Sequence, residues 1–176
     1  GFDFDDLILS SSDLISKAYE EGVPMGQELG SAEGKSPSFL VWALRDNNAA
    51  PLQRVQIVKG WVENITGKPH EQVFDVACSD GLSVNPITNR CPDNGAKVDL
   101  SDCSISADRG ASELKTVWTD PSFDENLKAF YYVRVLENPT CRWSSWDAVK
   151  AGTEIREDLK ALIQERAWSS PIWYSN

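Results

Sequence analysis

The sequence predicts an antiparallel β-sandwich of immunoglobulin-like type, with short peripheral helices and a disulfide-tied loop. Three observations carry that expectation. Segments rich in β-branched and aromatic residues recur between turn-forming residues, above all AFYYVRVLE at Ala129 to Glu137. Four cysteines, Cys78, Cys91, Cys103 and Cys141, all lie beside turn-rich sequence. Helical periodicity is confined to short stretches. We read residues 1–176 as one domain: 1–37 a peripheral helix and loop, 38–137 a strand core with a Cys-rich loop at 78–108, and 138–176 a helical tail with a final strand.

In chain order, Ser11-Ser12-Asp13 offers N-cap side chains for a short helix carrying Leu14, Ile15 and Ala18, ended by Gly22 and Pro24. Residues 26–37 are rich in Gly, Ser and Glu and read as a loop. Phe39 to Leu44 is a continuous apolar run, as expected of a strand buried on both faces. Arg54 to Trp61 puts Val55 and Ile57 on one face with Gln56 and Val58 opposite. A Gly67-Lys68-Pro69 turn then leads to Gln72–Cys78, where Phe74, Val76 and Cys78 share a side, so the two strands predict a hairpin. Leu114 to Thr119 reads as a strand stopped by Asp120-Pro121. In the tail, Ser144-Ser145 is expected to cap a helix from Trp146 to Val149, and Arg156 to Gln164 to form another. Pro171 to Tyr174 reads as a final edge strand, because its proline cannot donate to a ladder.

Bulk properties narrow the function classes. The 176 residues are 41% hydrophobic and 25% charged, enough for a packed core built largely of rings, with seven Trp, six Phe and four Tyr. Net charge is −10, with 27 acidic against 17 basic residues, and no Lys/Arg cluster is present. Such a surface neither displaces counterions from nucleic acid nor seats on an anionic membrane. The longest apolar run is too short to cross a bilayer. The start at Gly1, without Met or a signal pattern, leads us to expect either a leader cleaved just before it or a longer polypeptide.

The cysteine spacings lack the close pairs or added histidines of a metal site. Two disulfides are the better reading and imply an oxidising compartment, periplasmic or secreted. Of three pairings we favour Cys78–Cys91, closing one polar loop, with Cys103–Cys141 tying that loop to a strand end. Four reduced, partly buried thiols are the alternative.

Candidates for chemistry are few. The single histidine, His70, falls in an expected turn and reads as solvated rather than as a base or ligand. No nucleophile elbow, P-loop or dinucleotide fingerprint is present, and no catalytic residue or protein-bound cofactor is assigned. Asp120 and Asp124, with Glu125 and Asn126, offer oxygen ligands for Ca²⁺ but lack EF-hand spacing, and read more simply as a solvated turn. Trp143, Trp146 and Trp168 lie in irregular sequence and are candidates for stacking on sugar rings, against the plainer reading of packing. Arg142 beside Trp143, and Arg166 near Trp168, are the candidate substrate contacts, since a guanidinium matches phosphate or carboxylate bidentately.

Four strings together, GVPMGQELG at Gly22, LQRVQIVKGW at Leu52, AFYYVRVLENPTCRW at Ala129 and QERAWSSPIWY at Gln164, resemble the C-terminal part of the bacterial domain-of-unknown-function 3604 family. CSDGL at Cys78 and CPDNGAKVDLSDC at Cys91 are similar to a cysteine-bearing branch of it. The resemblance implies an exported parent whose upstream region is a PHP-type metallohydrolase holding divalent metals. It implies that residues 1–176 are a non-catalytic accessory domain that packs against that region and partly walls its cleft. It also implies a strand preceding Gly1, whose absence would leave an edge open to a partner chain or a homodimer. The alternatives, from the residues alone, are an autonomous carbohydrate- or calcium-binding module and a protein–protein interaction domain.

Overall fold

The computed structural model describes residues 1–175. It is mainly β, with 35% strand and 13% helix. A 3-10 turn (Asp6–Ser10) and helix α1 (Leu14–Glu21) precede a two-residue strand β1 (Glu28–Leu29). The central strands are β2 (Ser38–Leu44), β3 (Leu52–Val62), β4 (Pro69–Cys78), β5 (Glu113–Thr119) and β6 (Ala129–Glu137). The tail holds β7 (Thr140–Cys141), α2 (Trp143–Ala151), β8 (Leu162–Ile163), β9 (Arg166–Trp168) and β10 (Ile172–Tyr174).

A six-stranded sheet runs in the order β1-β10-β6-β3-β4, with β9 also paired to β6. β2 and β5 form a separate antiparallel pair from Ser38↔Thr119 to Leu44↔Glu113, and β7 pairs with β8. The two main sheets share one core: Phe39, Val41 and Leu114 of the smaller meet Val55, Ile57, Ala129, Tyr131 and Tyr174 of the larger. Rings bridge the layers, with Phe39 and Tyr131 at 4.5 Å between centroids and Phe74 and Trp118 at 4.9 Å. Each buried Val or Ile there contributes roughly 1.5–3 kcal/mol. The sheets are not closed.

β3, flanked by β4 and β6, holds the centre because its residues suit burial on both faces. From Val55 to Gly60 every residue of β3 is buried. Gly60 is required there: a Cβ would lie 2.3 Å from Cζ of Phe130, whose ring covers that position.

Several sequence expectations are corrected. β2 is buried on one face only, since Trp42 and Leu44 are exposed and no second layer covers them. A bulge at Val76 breaks the alternation in β4. Val55 pairs with Ala77 but Gln56 with Asp75, so Cys78 shares a face with Asp75 and not with Phe74. α2 begins at Trp143, directly ahead of the expected Ser144-Ser145 cap, with Arg142 as its N-cap, and ends on Gly152 at φ 64°, where glycine carries no Cβ penalty. Arg156 to Gln164 forms no helix; Arg156 is held by Asp158, and Leu162–Ile163 pairs with β7. β10 is not an edge strand, because β1 pairs with its far side, and β1 lies in the segment expected to be loop. Helical spacing at Leu159, Leu162 and Ile163 lost to this strand pairing.

Both disulfides form, Cys78–Cys91 and Cys103–Cys141, the favoured pairing. Between them the long loop is organised by side chains rather than by strands. Asp80 accepts from Ser79 Oγ at 2.7 Å, from the Gly110 N–H and from Asn94 Nδ2. Burial raises its pKa, but these donors outweigh that and hold the carboxyl below its usual range. Asn94 also donates to Asn138, which in turn donates to Arg109 O.

Candidate functional site

Three features draw attention: an interior ion pair, an open groove and an aromatic sheet face. The ion pair is Lys59 with Asp120, 2.6 Å apart and almost wholly buried. Alternation along β3 places Lys59 on the core face with Val55 and Ile57, and Asp120 follows β5 directly. Tyr131 donates its hydroxyl to Asp120 at 2.7 Å, and Ser122 caps Lys59 with its carbonyl at 2.8 Å. Desolvation, then the Asp120 charge, drive the Tyr131 pKa far upward, so this hydroxyl stays protonated. Asp120 is therefore committed to Lys59 and Tyr131. Asp124 is exposed and accepts from Asn126. Among the described residues no three or more His, Cys, Asp or Glu converge on a metal-sized position.

The groove, about 790 Å³, lies between the outer edge of β2 and strands β6 and β9. Its floor includes Ile57, Val133, Val135 and Ile172, and Glu165, Arg166 and Trp168 stand at its rim. Gly1 exchanges both backbone hydrogen bonds with Ser38, at 2.9 and 3.2 Å, taking up one end of that edge. Burial there lowers the Gly1 amine pKa to about 6. Because antiparallel bonding alternates, Leu40, Trp42 and Leu44 turn their N–H and C=O away from β5 and towards the groove. At the far end, burial and then the Glu165 and Asp46 charges raise the Glu137 carboxyl above its usual range.

On the outer face of the larger sheet, register sets residues in rows. One row runs Asp75, Gln56, Arg134, Trp168 across β4, β3, β6 and β9. Its polar groups satisfy one another: Arg134 Nε donates to Gln56 at 2.7 Å, and Gln56 Nε2 to Asp75 at 2.6 Å. Asp75 also accepts from the Cys91 N–H at 2.7 Å and from Arg54 at 3.3 Å. The Cys78–Cys91 bridge thus fixes the loop that supplies one of its donors. A second row runs Glu71, Gly60, Phe130, Trp173, Glu28. Phe130 and Tyr132 are near-parallel, 6.4 Å apart with 10° between planes.

The structure separates the two candidate Arg–Trp pairs. Arg142 is the N-cap of α2, with its Nε buried and without a hydrogen-bond partner; Trp143 beside it is 70% exposed. Arg166 and Trp168 stand on β9 against β6. Trp146 carries Lys150 over its ring at 5.5 Å. His70 belongs to β4 rather than to a turn; it stacks on Trp61 at 5.2 Å and contacts Glu63 at 2.6 Å. Sequence reasoning missed the Lys59–Asp120 pair, although the alternation that buries Lys59 was visible. Alternation along Ala129–Glu137 puts Phe130 and Tyr132 on one face, but Trp173 was missed as their companion, because only pairing between distant strands brings it there.

These features define a class: a mainly β, disulfide-bonded protein with short helices. Over residues 1–176 the chain matches the family described as Protein of unknown function (DUF3604), and it belongs to that family. No curated protein and no solved structure matches it. No helix among the described residues is long and apolar enough to cross a membrane.

Proposed function

We propose that this chain is a non-catalytic accessory domain of an exported, PHP-like metal-dependent hydrolase, packing against its upstream hydrolase domain and partly walling the active-site cleft. One observation carries the reading: the groove along β2 leaves a sheet edge and an apolar floor uncovered. An unpaired edge over an open core side is a template for further polypeptide. Arg166 and Trp168 stand at its rim, and on this reading they would meet an anionic substrate at the boundary between the domains. The buried acids add support, since Asp75 and Asp120 are each occupied by cations of this chain. On this reading the divalent metals belong to the upstream domain, the compartment is periplasmic or extracellular, and the two sheets form an open immunoglobulin-like sandwich.

Two measurements test it. Joined to its upstream polypeptide, the chain should exchange the Leu40, Trp42 and Leu44 amides about a hundredfold more slowly than alone; equal rates would overturn the packing. The isolated chain with Mn²⁺ or Zn²⁺ should not turn over an aryl phosphate, whereas the parent should; turnover by the isolated chain ends the accessory role. A second reading, pairing of two copies through the same edge, predicts a concentration-dependent dimer in sedimentation.

A further inference from the structure

We infer that the outer face of the larger sheet is a binding platform for a linear, uncharged polysaccharide, with Phe130, Tyr132, Trp168 and Trp173 as its stacking surface. Gly60 makes room for the first ring. With no Cβ beneath it, the Phe130 ring lies down on the β3 backbone, where an added Cβ would meet three of its ring atoms within 3.0 Å. Tyr132, two residues along β6, holds its ring near-parallel to that of Phe130, with 10° between the planes. Val58 beneath this face is wholly buried although it points away from the core, as expected if rings tile over it. The result is an aromatic floor on the outer face of the sheet, built of two aligned rings over the β3 backbone.

Two tryptophans border that floor on one side. Trp173 pairs with Phe130, its ring centroid 5.4 Å away and its plane tilted 52° to that ring as a raised border, and is 51% exposed. Trp168 pairs with Arg134 and is 59% exposed. They sit four residues apart along β6, roughly 13 Å, with Tyr132 between. Glu71 and Glu28 end the Phe130 row on either side, both exposed, and offer carboxylate acceptors to hydroxyl groups.

Charge selects the ligand class. Flat rings stack equally well on nucleobases, but a chain of net charge −10 repels a polyphosphate. Arg134, the cation in the Trp168 row, donates its Nε to Gln56. An uncharged sugar ring suits what remains: its axial C–H groups meet the electron-rich ring faces, and its equatorial hydroxyls meet the flanking carboxylates. Rings fixed on strands lose little entropy on binding. The platform meets the groove at Tyr132 and Trp168, which line both, whereas Phe130 and Trp173 belong to the outer face alone, so the inference does not depend on the accessory reading.

The test uses residues 1–176 with cellohexaose, xylohexaose, mannohexaose and chitohexaose as probes, followed by tryptophan fluorescence and calorimetry. At least one should give a saturable shift. Trp168→Ala with Trp173→Ala should weaken it more than tenfold, and Tyr132→Ala by a similar factor. Trp143→Ala, on α2, should leave it unchanged. The two tryptophans are more than half exposed, so their removal is expected to leave circular dichroism and melting intact. Absence of a shift with all four probes at millimolar concentration overturns the inference. So does equal loss with Trp143→Ala, or a dimer that sedimentation shows to vanish with the same two substitutions, which would give this face to a second copy.

Discussion

Lys59 Nζ and Asp120 Oδ2 meet 2.6 Å apart in the interior, one from the middle of β3 and the other just past the end of β5. The pair fastens the smaller sheet to the larger at a point where neither charge reaches water. Removing one partner strands the other. Lys59→Met should cost about 3–5 kcal/mol in chemical denaturation, whereas joining it to Asp120→Leu should recover most of that loss. A Lys59→Met protein as stable as the parent would show that the pair carries no interior charge.

Gly60 and Phe130 share one position on the outer face. Gly60→Ala forces the Phe130 ring off the backbone and should cost about 1–3 kcal/mol. Phe130→Ala in the same protein should relieve the clash, so the two effects should not add. Melting temperatures of the four proteins in the cycle check this.

The disulfides differ in the loops they close, 13 residues apart for Cys78–Cys91 and 38 for Cys103–Cys141. On the chain-entropy account, replacing the second pair by serine should cost about 1 kcal/mol more than replacing the first. Denaturant midpoints for the two double-serine proteins decide it. The reverse order would show that the short bridge acts chiefly in the native state, by placing the Cys91 N–H on Asp75.

Glu137 gives a pH dependence. Burial, then the Glu165 and Asp46 charges, hold its folded pKa above the unfolded value, so the folded chain binds this proton more tightly. Its contribution therefore favours folding below the unfolded pKa and is lost as pH rises through the folded pKa. Glu137→Gln should raise the melting temperature at pH 7 by about 1–3 °C and give no gain at pH 3. An equal effect at both values would remove the charge from the explanation.

Much of the fold was legible because local pattern and burial agreed. Ala129–Glu137 and Leu114–Thr119 read as strands, and β3 and β4 pair as the predicted hairpin. Legibility failed where local pattern and tertiary pairing disagreed. Leu159, Leu162 and Ile163 have helical spacing, yet β7 offered a strand partner and Leu162–Ile163 took it. The candidate sites divide the same way. Asp120 reads locally as a turn carboxylate and only its meeting with Lys59 shows it to be spent, while Trp168 was picked out by sequence and its companions were not.

The sequence by itself determined the mainly β class, the family, the position of the central strands and the cysteines to be bridged, because composition, alternation and turn residues act over a few neighbours. Only the tertiary structure decided which strand edge stays open, which charges are neutralised inside and which rings share a face. Those depend on register between segments far apart in the chain, as where Glu28 pairs with Trp173. A single bulge, such as that at Val76, reassigns every side chain beyond it to the opposite face.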